Sequence, residues 1–310
     1  MWFRRLAAVF LFLTCGTAGA CLNEYGRTLS GESKLMSHAD IPHGHKVDIA
    51  RVTEKADELR AAFEQDQRFE DASDLAIRLL RLGEIDEAIE LLQWAEANSE
   101  DEYQIATNLG TAYELAGRNE DALKWIRIGL ERNPESHGGS EWLHENLLKA
   151  KIAMASDPDW LESNSVTGLN FGDGDLPAYD REASFPNCPE LVDEIARHLY
   201  IQLNERRSFI PGPDPIVAAM MFDLANAYAI DGTVEDATPV FTLARELRFH
   251  DPVFLDRRLS ALSRIDVPKA TTTGFRFSPR WLTFGFIVVA VIALWIVFRI
   301  LLTSRPMPVE

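Results

Sequence analysis

Residues 108–134 read NLGTAYELAGRNEDALKWIRIGLERNP. A shift of 34 residues lays them over an earlier stretch: Leu75, Leu79, Gly83, Ala88 and Leu92 fall on Leu109, Tyr113, Gly117, Ala122 and Ile126. Five matches at one offset define an internal repeat. A period of this length marks a helix pair that cannot bury its apolar face alone and must stack on neighbours. Further along, LANAYAIDGTVEDATPVFTLAREL (224–247) sets Leu224, Ala225, Tyr228, Gly232, Ala237, Phe241 and Ala244 at the same relative spacings. Gly117 and Gly232 are 115 residues apart, which is not a multiple of 34, so an insertion or irregular helices lie between the copies.

Each matched position has a physical role. Gly110, Ala122, Ala225 and Ala237 are small where two helices cross closely. Tyr113, Tyr228 and Phe241 fill the space between helices with apolar area. Gly83, Gly117 and Gly232 stand where the first helix of each pair ends, and a left-handed backbone is expected at all three. Acidic residues follow each glycine (Asp86 and Glu87, Glu120 and Asp121, Glu235 and Asp236) and suit the N-terminus of the second helix through its dipole.

The pattern resembles the tetratricopeptide repeat, with Leu109-Gly110 and Tyr113 in the first helix, Gly117 at the turn, Ala122 and Ile126 in the second and Pro134 at the exit. The resemblance implies an all-α helical solenoid, with repeats at 69–102, 103–136 and 218–251. Around them the chain divides into a signal peptide (1–20), an irregular lead-in (21–46), and a block at 47–156 holding a capping helix, two repeats and a partial repeat. A loop (157–187) follows, then a block at 188–266 holding a helix, the last repeat and a capping helix. A tether (267–280), a transmembrane helix (281–303) and a cytoplasmic tail (304–310) complete the chain.

The ends carry the localisation signals. Arg4 and Arg5 precede an apolar run from Leu6 to Thr14, and Ala18-Gly19-Ala20 suits a cleavage site, as in an export signal. Cys21 follows directly, which makes it a candidate for lipidation. Trp281 to Phe298 runs uncharged and Ile300 to Leu302 extends it past Arg299, enough to cross a hydrocarbon core of about 30 Å. The expectation is a single-pass protein of a bacterial envelope, its bulk exported. The net charge is −17; without the two ends, 27 basic residues face 47 acidic ones, a net of −20. Such a surface repels nucleic acid and anionic membranes.

Little in the chain suggests catalysis. There is no phosphate-binding glycine loop, no G-x-S-x-G elbow and no H-E-x-x-H helix. The reading is therefore no enzyme, no cofactor, no metal site and no small-molecule substrate. The rival reading is a metal-binding or enzymatic envelope protein using the 157–187 loop with His38, His43 and His45. Three cysteines make no disulfide framework. In the repeat family, first helices line a concave face that holds peptides. By repeat phase that face includes Asp74, Ile77 and Arg81, then Asn108, Thr111 and Glu114, and finally Phe222, Asp223 and Asn226. These residues are the candidate site, and a protein or peptide is the expected partner. The 157–187 loop is expected to matter less for binding than this face.

Overall fold

A computed structural model describes residues 24–37, 39–185, 189–210 and 212–266. The expected signal, Cys21, Cys188, the tether, the membrane segment Trp281–Leu302 and the tail lie outside the described residues, as does His38. Among the described residues no helix is long and apolar enough to cross a membrane.

The regular elements of the described chain are helices but for one short hairpin. Helix α1 (Ile49–Asp66) is started by Asp48, whose carboxylate accepts from the backbone N–H of Arg51 at 3.3 Å. Then come α2 (Phe69–Leu82) with α3 (Ile85–Ala97), and α4 (Tyr103–Leu115) with α5 (Asn119–Arg132). Their apolar stripes meet in one core: Leu75, Leu79, Ala88, Leu92, Leu109, Tyr113, Ala122 and Ile126 are all buried. Burying a leucine or isoleucine side chain contributes about 1.5–3 kcal/mol. Close approach needs the small residues. A Cβ built on Gly110 would stand 2.6 Å from Ile126 Cγ1, and one on Gly129 would stand 2.5 Å from Thr107 Cγ2.

Gly83 (φ 86°) and Gly117 (φ 75°) take the expected left-handed backbone. Gly232 does not: its φ is −101°. The third turn is made differently, by Thr233, whose hydroxyl caps the next helix by accepting from Asp236 N.

The remaining helices are α6 (Glu141–Ser156), α7 (Val192–Phe209), α8 (Pro215–Asp231), α9 (Val234–Glu246) and α10 (Pro252–Ser263). Helix α6 stands where the partial repeat was expected. Leu143 and Leu147 lie 34 residues beyond Leu109 and Tyr113, and α6 packs on both α5 and α7, while α7 packs on α8. Helix α7 is reached only across an insertion at 157–191, which makes an interruption in the array, and it packs far more on α8 than on α6. The interruption is why the last repeat falls out of register with the first two.

The insertion is irregular yet packed. Leu161, Val166, Leu169 and Phe171 are buried in the common core. Most of the expected irregular lead-in is likewise ordered. Strands β1 (Tyr25–Arg27) and β2 (Ser33–Leu35) pair antiparallel, with Gly26 opposite Lys34. Arg27 places its backbone N–H and its Nε, each at 2.7 Å, on the two carboxylate oxygens of Glu235 at the start of α9. The chain then passes α8, where Tyr228 donates to the Asp40 carbonyl at 3.1 Å. It next passes α7, where Gly44 N–H meets Asn204 Oδ1 at 3.1 Å and His45 N–H meets Ser208 Oγ at 2.8 Å, and so reaches α1.

Candidate functional site

The nine residues assigned by repeat phase to one face meet three different fates. On α2 and α4 they remain accessible. Asp74 is exposed, and Ile77, Arg81, Asn108 and Thr111 are half-buried. Asp74, Ile77 and Arg81 share a stripe because their spacings of three and four residues match the helical turn. Asn108 lies one repeat on from Asp74, and its Nδ2 reaches the Ser73 hydroxyl at 3.4 Å, tying the two helices side by side.

Glu114 does not line an open groove. It is buried, and its carboxylate is ringed by cations. It accepts from Arg206 on α7, from Lys151 Nζ at 2.5 Å and from His144 Nε2 at 2.8 Å. His144 also meets Glu141 through Nδ1 at 3.0 Å, and Glu141 holds His137 at 2.5 Å. Burial alone would raise the Glu114 carboxyl. The charge of Arg206, the hydrogen bond from His144 and the charge of Lys151 outweigh burial and hold it well below the usual carboxylate range. Glu141 is held down in the same way by His137 and His144 against its own burial. His144 is pushed down by burial but raised on balance by its two carboxylates, and the bond to Glu141 raises His137 to about 9. The cluster joins α4, α6 and α7 as a charged core. It leaves a space of only about 30 Å³, no more than water-sized.

On α8 the insertion covers the expected face. Thr167 donates its hydroxyl to Asp223 at 2.6 Å. Arg258 of α10, fully buried, gives its guanidinium to Asn226 Oδ1, to the Phe171 carbonyl at 2.9 Å and to the Gly172 carbonyl. Phe222 is buried and stacked on Phe249 at 4.2 Å. Burial raises the Asp223 carboxyl to about 7, against the pull of Thr167 and Arg258. Burial also lowers Arg258 to about 10. Beside this contact a cavity of about 500 Å³ is lined by the insertion, α8 and α10. The Nδ2 of Asn226 is buried there with no partner.

The role of Arg258 had no sequence signal. The covering of α8 had one: Ile216 to Ala229 is apolar almost all round, and a helix of that kind is buried on every side. Twelve residues of α8 are buried. Among the described residues, no group of three or more His, Cys, Asp or Glu could hold a metal.

The family comparison agrees with the helix pairs α2/α3 and α4/α5. A model of the tetratricopeptide repeat family matches residues 73–137, the span of α2 to α5 with the turn after them. No curated protein matches the chain. Among solved structures, the chain is similar to a thermophilic tetratricopeptide-repeat protein of Thermus thermophilus, at 17% identity and a TM-score of 0.34, over 69% of this chain and 92% of the other. The 34-residue period, the packed helix pairs and the family match converge on one stretch: residues 73–137 carry tetratricopeptide repeats.

Proposed function

We propose that this chain is a scaffold that holds a protein partner on the face of α2 and α4, and that it is anchored in a membrane by Trp281–Leu302 with its bulk exported. Repeats of this family serve protein–protein interaction. The observation that carries the reading is the contrast within the repeat array. The face of α8 is covered in part by the chain's own insertion, which leaves a cavity of about 500 Å³ beside Phe222, Asp223 and Asn226, whereas Asp74, Ile77, Arg81, Asn108 and Thr111 keep accessible surface on α2 and α4 with no segment of the described chain laid over them. A peptide laid there meets amide and hydroxyl groups able to bond its backbone and one apolar side chain, Ile77. No catalytic step is assigned. The uncharged run at 281–298 supports the anchor, and the run at 6–14 with Ala18-Gly19-Ala20 supports export.

The test is site-specific photocrosslinking in intact cells. Probes at Ile77 and Thr111 should give a protein adduct, while a probe at exposed Lys124 on α5 should not. Equal yields from all three positions would defeat the groove assignment. The anchor is tested by fractionation: truncation before Arg280 should release the chain from membranes.

A further inference from the structure

At the N-terminal end of the same face, α1 and α2 enclose a cleft of about 560 Å³ lined by Lys46, Arg51, Arg78 and Arg81 among others. In an acidic chain this is an unusual gathering. Elsewhere Arg27, Arg60, Arg118, Arg127, Arg132 and Arg206 each hold a carboxylate. The side chains of Lys46, Arg51, Arg78 and Arg81 have no ion pair or hydrogen bond among the described residues. For Arg78 and Arg81 the Nε donor is also buried without an acceptor. A buried donor left unmade is unfavourable, and an incoming acceptor relieves it.

Three carboxylates border the cleft, and two are engaged. Asp48 caps α1, and Glu58 is held by Lys55 at 2.8 Å; Glu54 is the third. The acids present therefore leave a surplus of positive charge.

We propose that this cleft is a binding site for an acidic peptide segment, whose carboxylates take the free donors of Arg78 and Arg81 and the charges of Arg51 and Lys46. A peptide fits better than a compact anion because the four cations come from three places, the end of the lead-in, α1 and α2, around a volume far larger than one phosphate. Arg81 also shares its stripe with Ile77 and Asp74, so the segment continues directly onto the face described above. The remaining surface, net negative, repels an acidic ligand and leaves this cleft as the point of attachment. The inference names partner chemistry for the proposed scaffold and rests on that reading.

The experiment uses the full chain in detergent and a fluorescent hexaglutamate peptide, read by anisotropy. Binding should occur, weaken as salt rises from about 50 to 300 mM, and be absent for hexalysine and for a neutral hexaglutamine peptide. Arg78→Ala with Arg81→Ala should weaken it at least about tenfold, while the Lys pair at the same positions should retain most of it. Unchanged helicity and melting of both variants, by circular dichroism, make the comparison fair. Hexaglutamate binding that ignores the Arg78→Ala, Arg81→Ala pair overturns the proposal. So does displacement of the peptide by inorganic phosphate at equal charge, which would make the cleft a compact-anion site. If photocrosslinking at Thr111 persists in that pair at full yield, the scaffold reading stands and the acidic-peptide assignment alone falls.

Discussion

Thr167 and Asp223 are joined by a 2.6 Å hydrogen bond across 56 residues of chain, and that bond sets the insertion down on the face of the last repeat. The first two repeats leave part of the inner faces of α2 and α4 accessible, while the last carries the insertion over part of its face. One array therefore has a more open half and a half partly covered by its own chain.

The first prediction concerns Asp223. In the unfolded chain its carboxyl ionises near pH 3.9; in the fold, burial raises it to about 7. Between those values folding takes up a proton, so the contribution of this group to stability falls as pH rises from about 4 to 7. Asp223→Asn keeps an acceptor for Thr167 and removes the charge. It should raise the melting temperature at pH 8 and leave it nearly unchanged at pH 4. A variant less stable at pH 8 would mean that the attraction between the charges of Asp223 and Arg258 outweighs the burial of Asp223.

The second concerns the cluster around Glu114. Removing one partner of a buried ion pair strands the others, at a cost of about 3–5 kcal/mol. Glu114→Ala should lose about that much in urea unfolding, since Arg206, Lys151 and His144 would all lose their shared carboxylate. Replacing Glu114 or Asn226 is thus a test of folding rather than of binding, and groove variants belong at Ile77, Asn108 and Thr111.

The same cluster sets a pH profile. Glu114 and Glu141 are depressed in the fold, so their contribution is complete above about pH 4.3 and is lost as pH falls. His144 and His137 are raised, so theirs is complete below about pH 6.5 and is lost as pH rises, for His137 through about 9. The cluster's contribution to thermal stability should be greatest between about pH 4.5 and 6.5, and is to be read in the Asp223→Asn variant, where the opposing slope of Asp223 is absent. His137→Ala should reduce the alkaline decline. The reduction will be modest, because that imidazole is partly exposed and solvent screens it.

Close packing supplies the fourth prediction. Gly110→Ala places a methyl against Ile126, and Ala122→Leu and Ala237→Leu overfill contacts that are fully buried. Each should cost about 1–3 kcal/mol, with the loss spreading to the neighbouring helix pair. Unchanged melting of all three would overturn the helix-pair assignment.

Deletion of residues 170–180 gives the fifth. It removes Phe171 and the carbonyls that hold Arg258. Amide hydrogen exchange should accelerate in α8 and α10 but not in α2, and crosslinking from Thr111 should persist.

Much of this architecture was legible because repeat periodicity is a local property. Small residues at Gly110 and Ala122, with left-handed turns at Gly83 and Gly117, locate α2 to α5 without knowledge of the rest. The course of the chain from α6 to α7 was hidden because the two helices are parted by the insertion, which a search at a single offset cannot bridge. Phase also placed Glu114 and Asn226 on the inner face without revealing what would lie over them. Their coverings, Arg206 and Arg258, come from 92 and 32 residues away, and no spacing rule links such pairs. At the third turn, Thr233 does by capping what a left-handed glycine does in the first two.

The lead-in changes how the array unfolds. A stack whose members touch only their neighbours has low contact order and can fray from either end. Here Arg27 is fixed to Glu235, 208 residues away, and the same stretch of chain goes on past α7 to α1. Opening the last pair therefore strips a belt that also borders the first. Loss of either end should register at the other, so the chain should melt as one cooperative unit rather than repeat by repeat, and should fold more slowly than its helical content suggests.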